Sequence, residues 1–281
     1  MVNSTSRDAR ATISIVTCSY NQARFLDATL RSVLDQQYPK LDYIVMDGGS
    51  DDGSADIIRR HESALSYWVS APDGGQTNAL ICGFSRARGE IMGWLCSDAL
   101  LLPGALDAVS DFFAANPDVD AVYGDALWID AAGDYLRPKK EMPFNRFAFL
   151  FDHNYIAQPS MFWRRSLYER VGGLDARFNL AMDNDLWERF SRHTRIAHIE
   201  RYLSCMRYYP EQKTRAMKPK GRIEDAEIRA RSSLAHLAPL LRPLARAQRV
   251  VAKLAAGGYT ARPPHHVIAA LERYRIGGAR P

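Results

Sequence analysis

The sequence predicts an α/β protein in which a mostly parallel sheet is flanked by helices. Short apolar strands alternate with amphipathic helices of about 10–15 residues, which is typical of βαβ units. Small polar and acidic clusters follow three of these strands. The 281 residues include 47% hydrophobic and 25% charged side chains, ordinary values that exclude disordered, collagen-like and coiled-coil proteins. The length fits one large domain with an appendage.

The first two strands of this pattern each end in a polar loop. Ile13–Thr17 is a β-rich run that stops at the polar residues 18–21, and leucines at helical spacing follow from Leu26 to Leu34. Leu41–Met46 forms the second strand and leads into the acidic, glycine-rich segment 47–54. The last residue of that segment is a serine, which suits the cap of the next helix.

A third strand and two further helices complete the N-terminal half. Residues 79–87 have the apolar spacing of a helix, and the strand Ile91–Leu95 comes next. The polar segment 96–98 follows this strand, and Pro103 marks the start of another helix. In parallel sheets ligands bind beyond the carboxyl ends of the strands, which is where all three polar clusters fall. Three coincident clusters predict a ligand site, although a single one is more often ordinary turn chemistry.

Segments of different character divide the chain. Residues 1–11 are a polar N-terminal tail, and residues 12–210 form the predicted α/β domain. Within this domain, 12–130 carries the alternating pattern, whereas 131–210 is less regular and rich in aromatic residues. Residues 211–281 are basic and mainly helical, with a net charge of +10 against −5 for the rest of the chain. The acidic residues 1–210, called the body, are suited to binding cations. The basic extension, residues 211–281, is suited to contact with an anionic surface.

Cysteine usage and hydropathy indicate a cytoplasmic protein without a membrane span. Four cysteines lie far apart and form no CxxC pair, so zinc is not expected and the thiols are predicted to be reduced and buried. No run approaches the roughly 18 apolar residues of a spanning helix, and the N-terminus lacks the apolar core of a secretory signal. No GxGxxG follows the first strand, which argues against hydride transfer.

Seven segments together resemble a family-2 inverting glycosyltransferase with the GT-A fold, of the type that builds bacterial polysaccharides. The resemblance covers about residues 12–215, and it depends on the order and spacing of the segments. They are Ile15–Asn21, Asp47–Ser54, Asp73–Ala79, Gly93–Asp98, Gln158–Ser160, Gly172–Asp175 and Met182–Trp187. The resemblance implies a single Rossmann-like GT-A domain, with its nucleotide-sugar half in 12–130 and its acceptor and catalytic half in 131–210.

The same resemblance implies a role for particular residues. A divalent cation, Mn or Mg, neutralises charge on the departing diphosphate, and Asp98 is its expected ligand. Asp183 is the expected general base, which takes a proton from the attacking hydroxyl. Gln158 and Trp187 are the expected acceptor contacts. The expected nucleotide and donor contacts are Thr17, Ser19, Asn21, Asp47, Asp73, Gln76, Ser97 and Asp98.

Other roles stay open for several of these side chains. Helix capping is the alternative for Asp98 and for Asp183, and simple solvation is the alternative for Gln76. Asp51 and Asp52 are better explained as turn and cap residues. The chain also departs from the family pattern, losing a motif carboxylate, the acidic partner of the base, a phosphate-facing lysine and a histidine near the metal. The departing positions are Ile81, Cys82, Cys96, Ala99, Met182, Tyr208 and Tyr209.

The resemblance implies metal-dependent, inverting transfer of a sugar from a nucleotide-sugar donor, with UDP favoured by family frequency. The acceptor would be a saccharide or a lipid-linked molecule in bacterial surface polysaccharide or glycoconjugate synthesis. The departures favour an alternative, a pseudo-glycosyltransferase that binds a nucleotide-sugar and turns it over weakly or not at all. Under either function, a nucleotide-sugar donor is an expected partner.

The basic extension has two open interpretations. Its leucines and arginines form either helices that present a basic face to the inner face of the cytoplasmic membrane, or a helical hairpin or homodimer contact. Pro239 and Pro243 argue against one long amphipathic helix. Nucleic-acid binding is not expected, because Tyr259 and Tyr274 are the only aromatics available for stacking there. The basic run Lys213–Arg222 is expected to be a mobile lid over donor or acceptor.

Overall fold

The computed structural model describes residues 10–277, and in this range nine strands form one sheet with helices on both faces. Most of the predicted N-terminal tail lies outside the described residues. The strands are β1 Ile13–Ser19, β2 Leu41–Asp47, β3 Tyr67–Ser70, β4 Ile91–Cys96, β5 Leu100–Leu101, β6 Ala121–Ile129, β7 Tyr135–Lys139, β8 Met161–Arg164 and β9 Ile196–Arg207.

The helices fall into a body set and an extension set. Those of the body are α1 Ala23–Leu34, α2 Ser54–His61, α3 Gln76–Arg86, α4 Ala105–Ala115, α5 Arg146–Phe151, α6 Arg165–Arg170 and α7 Met182–His193. Those of the extension are α8 Lys213–Ala216, α9 Lys218–Ala230, α10 Ala238–Ala255 and α11 His265–Ala269. The predicted domain boundary at 210/211 falls between β9 and α8.

The sheet is parallel in its N-terminal half and mixed beyond it. Its order is β3-β2-β1-β4-β8-β6-β9-β5, and β7 pairs with β6. β1 is parallel to β2 and β4, and β2 is parallel to β3, which confirms the predicted βαβ units. β8 runs antiparallel to both β4 and β6, so the second half departs from the simple alternation. The predicted fold class, an α/β domain followed by a helical extension, is confirmed.

Apolar side chains cover both faces of the sheet. β1 is buried along its whole length, as expected for a parallel strand with helices on both sides. On one face Phe84, Trp94, Trp163 and Trp187 form a cluster with ring centroids 5.4–6.1 Å apart. The aromatic residues of the second half therefore serve the core, where their large apolar area stabilises the packing of α3, β4 and α7.

The C-terminal extension packs on the body. α9 lies against α7, and α10 lies against α5. α10 is continuous over 18 residues although it contains Pro243, so the expectation that prolines interrupt it is wrong. Pro239 lies in the first turn, where the backbone N–H needs no partner, and Pro243 follows four residues later, so the missing N–H removes a single early hydrogen bond. Among the helices of residues 10–277, none combines the length and the apolar character needed to cross a bilayer.

Candidate functional site

The three predicted polar clusters meet at the carboxyl ends of β1, β2 and β4. Strand register pairs Ser19 with Asp47 and Cys18 with Cys96. The start of α3 joins them, because Gln76 Nε2 donates to Cys96 Sγ at 3.4 Å. The cleft at this edge of the sheet is therefore the candidate functional site.

Two predicted donor contacts are buried beneath the cleft. Thr17 is fully buried, and its Oγ1 shares a hydrogen bond of 2.9 Å with the hydroxyl of Tyr43. Asp47 is 1% exposed and accepts hydrogen bonds of 2.6 Å from the hydroxyls of Ser50 and Ser70. Both expectations of direct donor contact are corrected, because these side chains present almost no surface to the cleft and instead shape its loops.

Loops at the end of β1 carry the next predicted contacts. Ser19 Oγ is buried and has no hydrogen-bond partner within the described chain, so a ligand atom would satisfy it. Asn21 is exposed, and its Oδ1 accepts from the Asp51 amide at 3.1 Å, which ties two loops together. Asp52 accepts from the Ala23 amide at 2.8 Å and from the first amide of α2. The turn and cap role predicted for Asp52 is confirmed.

The loop before α3 exposes the start of that helix to the cleft. Asp73 Oδ1 accepts from the Gly75 amide at 2.7 Å, and Gly74 and Gly75 have φ angles of 74° and 113° that favour glycine. Gln76 is not merely solvated, because its Oε1 accepts from Lys213 Nζ at 2.9 Å. The first turn of α3, a helix of 11 residues, favours binding of an anion. Its backbone amides have no partner within the helix, and the ammonium group of Lys213 lies beside them.

Asp98 lies at the end of β4 and is held in place by the strand β9 and the loop after it. The Tyr209 hydroxyl donates to Asp98 Oδ2 at 2.9 Å, and Arg207 Nε donates to the Asp98 carbonyl at 3.1 Å. Burial raises the pKa of Asp98, and the bond from Tyr209 and the charge of Arg207 partly offset this effect. α4 begins at Ala105 with Gly104 as its N-cap, so the capping alternative for Asp98 is wrong.

Two thiols line the cleft between β1 and β4. Cys18 and Cys96 are register partners on these neighbouring parallel strands. Gln158 Oε1 accepts from Cys96 Sγ at 3.5 Å, and Gln158 Nε2 donates to the Trp94 carbonyl at 2.9 Å. Both ends of the Gln158 amide thus fix the end of β4, and the expected acceptor contact of this half-buried residue stays a prediction. All four cysteines are free, as expected, although Cys82 is exposed.

Asp183 is the second residue of α7. Ala181 occupies the N-cap position, so the N-cap alternative for Asp183 is wrong. Asp183 Oδ2 accepts from Asn154 Nδ2 at 3.1 Å. Burial raises the pKa of Asp183 to about 6, with Asp225 raising it and hydrogen bonds from backbone amides and Asn154 lowering it. A carboxylate with this pKa is suited to proton transfer near neutral pH.

Trp187 lies one turn beyond Asp183 and faces the core. It is fully buried, and its ring stacks on that of Trp94 with centroids 5.4 Å apart. The expectation that Trp187 contacts an acceptor is wrong, because none of its surface is accessible. Its burial instead anchors α7 and so fixes the position of Asp183.

Residues of the extension, which the sequence did not identify as site residues, hold the loop before α7. Lys213 Nζ donates to Asn179 Oδ1 and to its carbonyl at 2.8 and 2.9 Å. Glu224 is 6% exposed and accepts from the consecutive amides of 179–181 at 2.8–3.1 Å. Lys213 begins the basic run 213–222, which was expected to lie over the donor or acceptor as a mobile lid, but no role was predicted for it individually. No sequence signal marks Glu224, because its partners lie 43 to 45 residues away.

The donor side and the base side of the cleft are in direct contact. Thr77 Oγ1, at the start of α3, donates to the Phe178 carbonyl at 2.6 Å and approaches Met182 Sδ at 3.3 Å. Lys213 adds a second connection, since it bonds to both Gln76 and Asn179. The arrangement thus brings a polar anion site and a carboxylate of raised pKa into one cleft.

The residues near Asp98 fit a cation that is held jointly by protein and ligand. Within residues 10–277 no three His, Cys, Asp or Glu side chains converge as metal ligands. A Mg²⁺ ion is commonly bound through one or two carboxylates together with substrate phosphates. The single carboxylate of Asp98 beside an anion-favouring helix start matches that kind of binding.

Comparisons with known proteins agree with this architecture. Residues 14–172, more than half of the chain, match the family described as glycosyl transferase family 2. An uncharacterized glycosyltransferase of Mycobacterium tuberculosis is 29% identical over 176 residues, which are 62% of this chain and 66% of that protein. An O-antigen biosynthesis protein of Myxococcus xanthus is 30% identical over 200 residues, which are 68% of this chain and 15% of that protein. The match therefore spans only part of these relatives.

Solved structures with low sequence identity share the fold. TarS of S. aureus in complex with UDP-GlcNAc has a TM-score of 0.61 at 13% identity, covering 94% of this chain and 79% of that one. The mannosyltransferase PcManGT from Pyrobaculum calidifontis, in complex with GDP-Man and Mn²⁺, has a TM-score of 0.62 at 19% identity. That alignment covers 95% of this chain and 80% of PcManGT. At these identities the likeness establishes the fold.

Proposed function

Because this chain belongs to glycosyl transferase family 2, we propose that it moves a sugar from a nucleotide-sugar to a saccharide or lipid-linked acceptor, with inversion and with a divalent cation. The observation that carries the proposal is that the start of α3 contacts both the end of β4 and the loop before α7, the two places that hold the candidate carboxylates. Asp98 lies at the end of β4, and Asp183 lies at the start of α7. Thr77 supports their proximity, since it bonds the start of α3 to the loop before Asp183.

The donor diphosphate is proposed to lie between the first turn of α3 and Lys213. The unpaired amides of that turn attract an anion, and Lys213 Nζ adds a positive charge within 2.9 Å of Gln76 Oε1. This lysine would replace the phosphate-facing cation that the family pattern has near Cys82. The nucleotide is proposed to be UDP, the ligand of one TarS complex, with Ser19 Oγ available to bond it.

Asp98 is proposed to hold Mn or Mg against the diphosphate. When bound, such a cation neutralises the negative charge on the leaving nucleotide. The hydroxyl of Tyr209 keeps one oxygen of Asp98 oriented by donating to it at 2.9 Å. The Mn²⁺ in the PcManGT complex supports a cation in this fold.

Asp183 is proposed to act as the general base. The acceptor hydroxyl attacks the anomeric carbon from the face opposite the nucleotide, and its proton passes to the Asp183 carboxylate. The bond to the diphosphate breaks, and its electron pair leaves with the nucleotide. Asn154 orients the carboxylate by donating to Oδ2, and Glu224 fixes the backbone just before it. With a pKa of about 6, Asp183 is mostly ionised at neutral pH.

A donor-binding protein with weak or absent turnover is the second candidate, and Cys96 is the observation that favours it. The Cys96 thiol replaces a motif carboxylate and is engaged by Gln76 and Gln158. Such a protein would bind the donor through the same groups. The two candidates differ in turnover alone.

Nucleotide release from UDP- and GDP-sugars, measured with Mn, with Mg and with a chelator, tests the proposal. We expect release only with metal. Asp183→Asn should lower turnover by about 100-fold or more while donor affinity changes little. Asp98→Asn should abolish the gain in UDP affinity that metal provides. Asp118→Asn, which changes an exposed carboxylate before β6, is the matched control.

The outcomes separate the candidates. Donor binding by the unmodified protein without any release would select the non-catalytic function. Equal UDP affinity in metal and in chelator would remove the cation from the proposal. Near-normal turnover of Asp183→Asn would remove Asp183 as the base.

A further inference from the structure

α10 carries an apolar face that nothing in the described chain covers. Leu240, Leu244, Val251 and Leu254 expose 71%, 62%, 66% and 57% of their surface. Their separations of three, four and seven residues place them on one side of the helix. The opposite side, which includes Ala245, packs against the body. The helix therefore has one apolar face that belongs to the core and another that faces outward.

Two cations on the flank of α10, beside the exposed face, have no ion-pair partner within the described chain. α10 contains four Arg or Lys residues and no Asp or Glu. Two of them serve the body, because Arg249 bonds to Asp152 and Lys253 bonds to Glu141. The other two, Arg242 and Arg246, are exposed and form no ion pair with any residue of the described chain.

A groove beside the helix combines both features. Its volume is about 680 Å³. Its lining contains the two unpaired guanidinium groups among mostly apolar side chains. The lining residues are Asp152, Pro239, Arg242, Pro243, Arg246, Ala247, Val250 and Val251. Guanidinium groups beside an apolar wall suit a molecule with a phosphate next to a hydrocarbon chain.

We propose that α10 docks in the plane of a bilayer containing anionic phospholipids, with its outward leucines among the acyl chains and Arg242 and Arg246 at the phosphates. A helix with one outward apolar side and cations on its flank is the kind that lies in a membrane interface. Charge decides against the α10 of a second copy as the occupant. α10 offers no acidic residue to pair with Arg242 and Arg246, whereas an anionic bilayer offers many phosphates.

The docked helix would be connected to the proposed base through two side-chain contacts. Arg249 holds Asp152 at 2.5 Å, and two residues later Asn154 donates to Asp183. A bilayer under α10 would thus be joined to the base side of the cleft by a short, fixed segment. This consequence for a lipid-linked acceptor rests on the proposed function, but the docking itself does not.

Vesicle flotation of the full chain tests the docking. The probes are vesicles of phosphatidylcholine alone and vesicles that also contain phosphatidylglycerol. We expect flotation with the anionic vesicles only, reduced at least fivefold by high salt because screening shortens the reach of the charges. The double variants Leu240→Gln/Leu244→Gln and Arg242→Gln/Arg246→Gln should each reduce flotation at least fivefold. Thermal melting of each variant checks that it remains folded.

Matched control variants distinguish binding through this surface of α10 from nonspecific binding to vesicles. Leu136→Gln removes an exposed leucine on β7, and Arg59→Gln/Arg60→Gln removes two exposed charges from α2. Neither should change flotation. Equal flotation with neutral vesicles, equal loss in the controls, or no flotation at low salt would each overturn the proposal. So would a dimer in sedimentation velocity that Leu240→Gln/Leu244→Gln dissociates, because the face would then belong to a second copy. Because flotation requires no turnover, failure of the proposed function would leave its result unchanged.

Discussion

Replacing Asp183 by Asn is expected to stabilise the protein while it removes the proposed base. Burial raises the pKa of Asp183 from 3.8 to about 6. Between these values the folded state binds a proton that the unfolded state does not, so the free energy of unfolding falls as pH rises through this window. The full cost of the ionised carboxylate is present above about pH 6.

The size of the effect follows from the same two values. Since each tenfold change in proton affinity corresponds to about 1.4 kcal/mol, ionised Asp183 would cost the folded state up to about 3 kcal/mol. The side chain keeps some contact with solvent, so we expect Asp183→Asn to raise the free energy of unfolding at pH 7.5 by about 1–3 kcal/mol. At pH 4.5 the gain should shrink, because Asp183 is then largely protonated.

Urea unfolding at pH 4.5 and pH 7.5 measures this difference. Asp185→Asn is the matched control, because the same chemical change is made two residues away on the same helix. Asp185 is fully buried and bonds to Arg189 and Arg231. Its loss leaves two partly buried cations without this partner and should destabilise the protein by about 3–5 kcal/mol. If Asp183→Asn is also destabilising, or its effect is the same at both pH values, the burial of a costly charge at Asp183 is refuted.

Other substitutions test the remaining contacts. Glu224→Gln should lower the free energy of unfolding by about 1–3 kcal/mol, because a neutral oxygen replaces the acceptor of three amides. In urea unfolding the exposed Glu227→Gln should change it by less than about 0.5 kcal/mol, and equal losses would contradict the role of Glu224. Lys213→Met should raise the calorimetric Kd for UDP about tenfold or more, and an unchanged Kd would remove Lys213 from the donor site. Cys96→Asp should lower the Mn concentration for half-maximal UDP binding by adding a hard oxygen ligand, and no decrease would place that ligand elsewhere.

Local sequence patterns were sufficient for the strands of the N-terminal half and for the place of the cleft. The apolar runs at Ile13–Thr17, Leu41–Met46 and Ile91–Leu95 each end in polar residues, and the structure brings those ends together. Such features depend on interactions within a few residues, namely side-chain periodicity and turn chemistry, so they are readable without a structure. The roles of Asp98 and Asp183 followed from the resemblance to the family and stay predictions.

Only tertiary packing determined which side chains face the core, the cleft or the solvent. Trp187 belongs to the same motif as Asp183, yet it is buried because α7 inserts one side into the aromatic core. Lys213 reaches Gln76 across 137 residues, and no local pattern specifies such a contact. Nor does periodicity distinguish the leucines of α10 that pack from those that stay exposed, since both sides of that helix are apolar. Which of these leucines are buried depends on the side of α10 that packs against α5, and the tertiary fold determines that side.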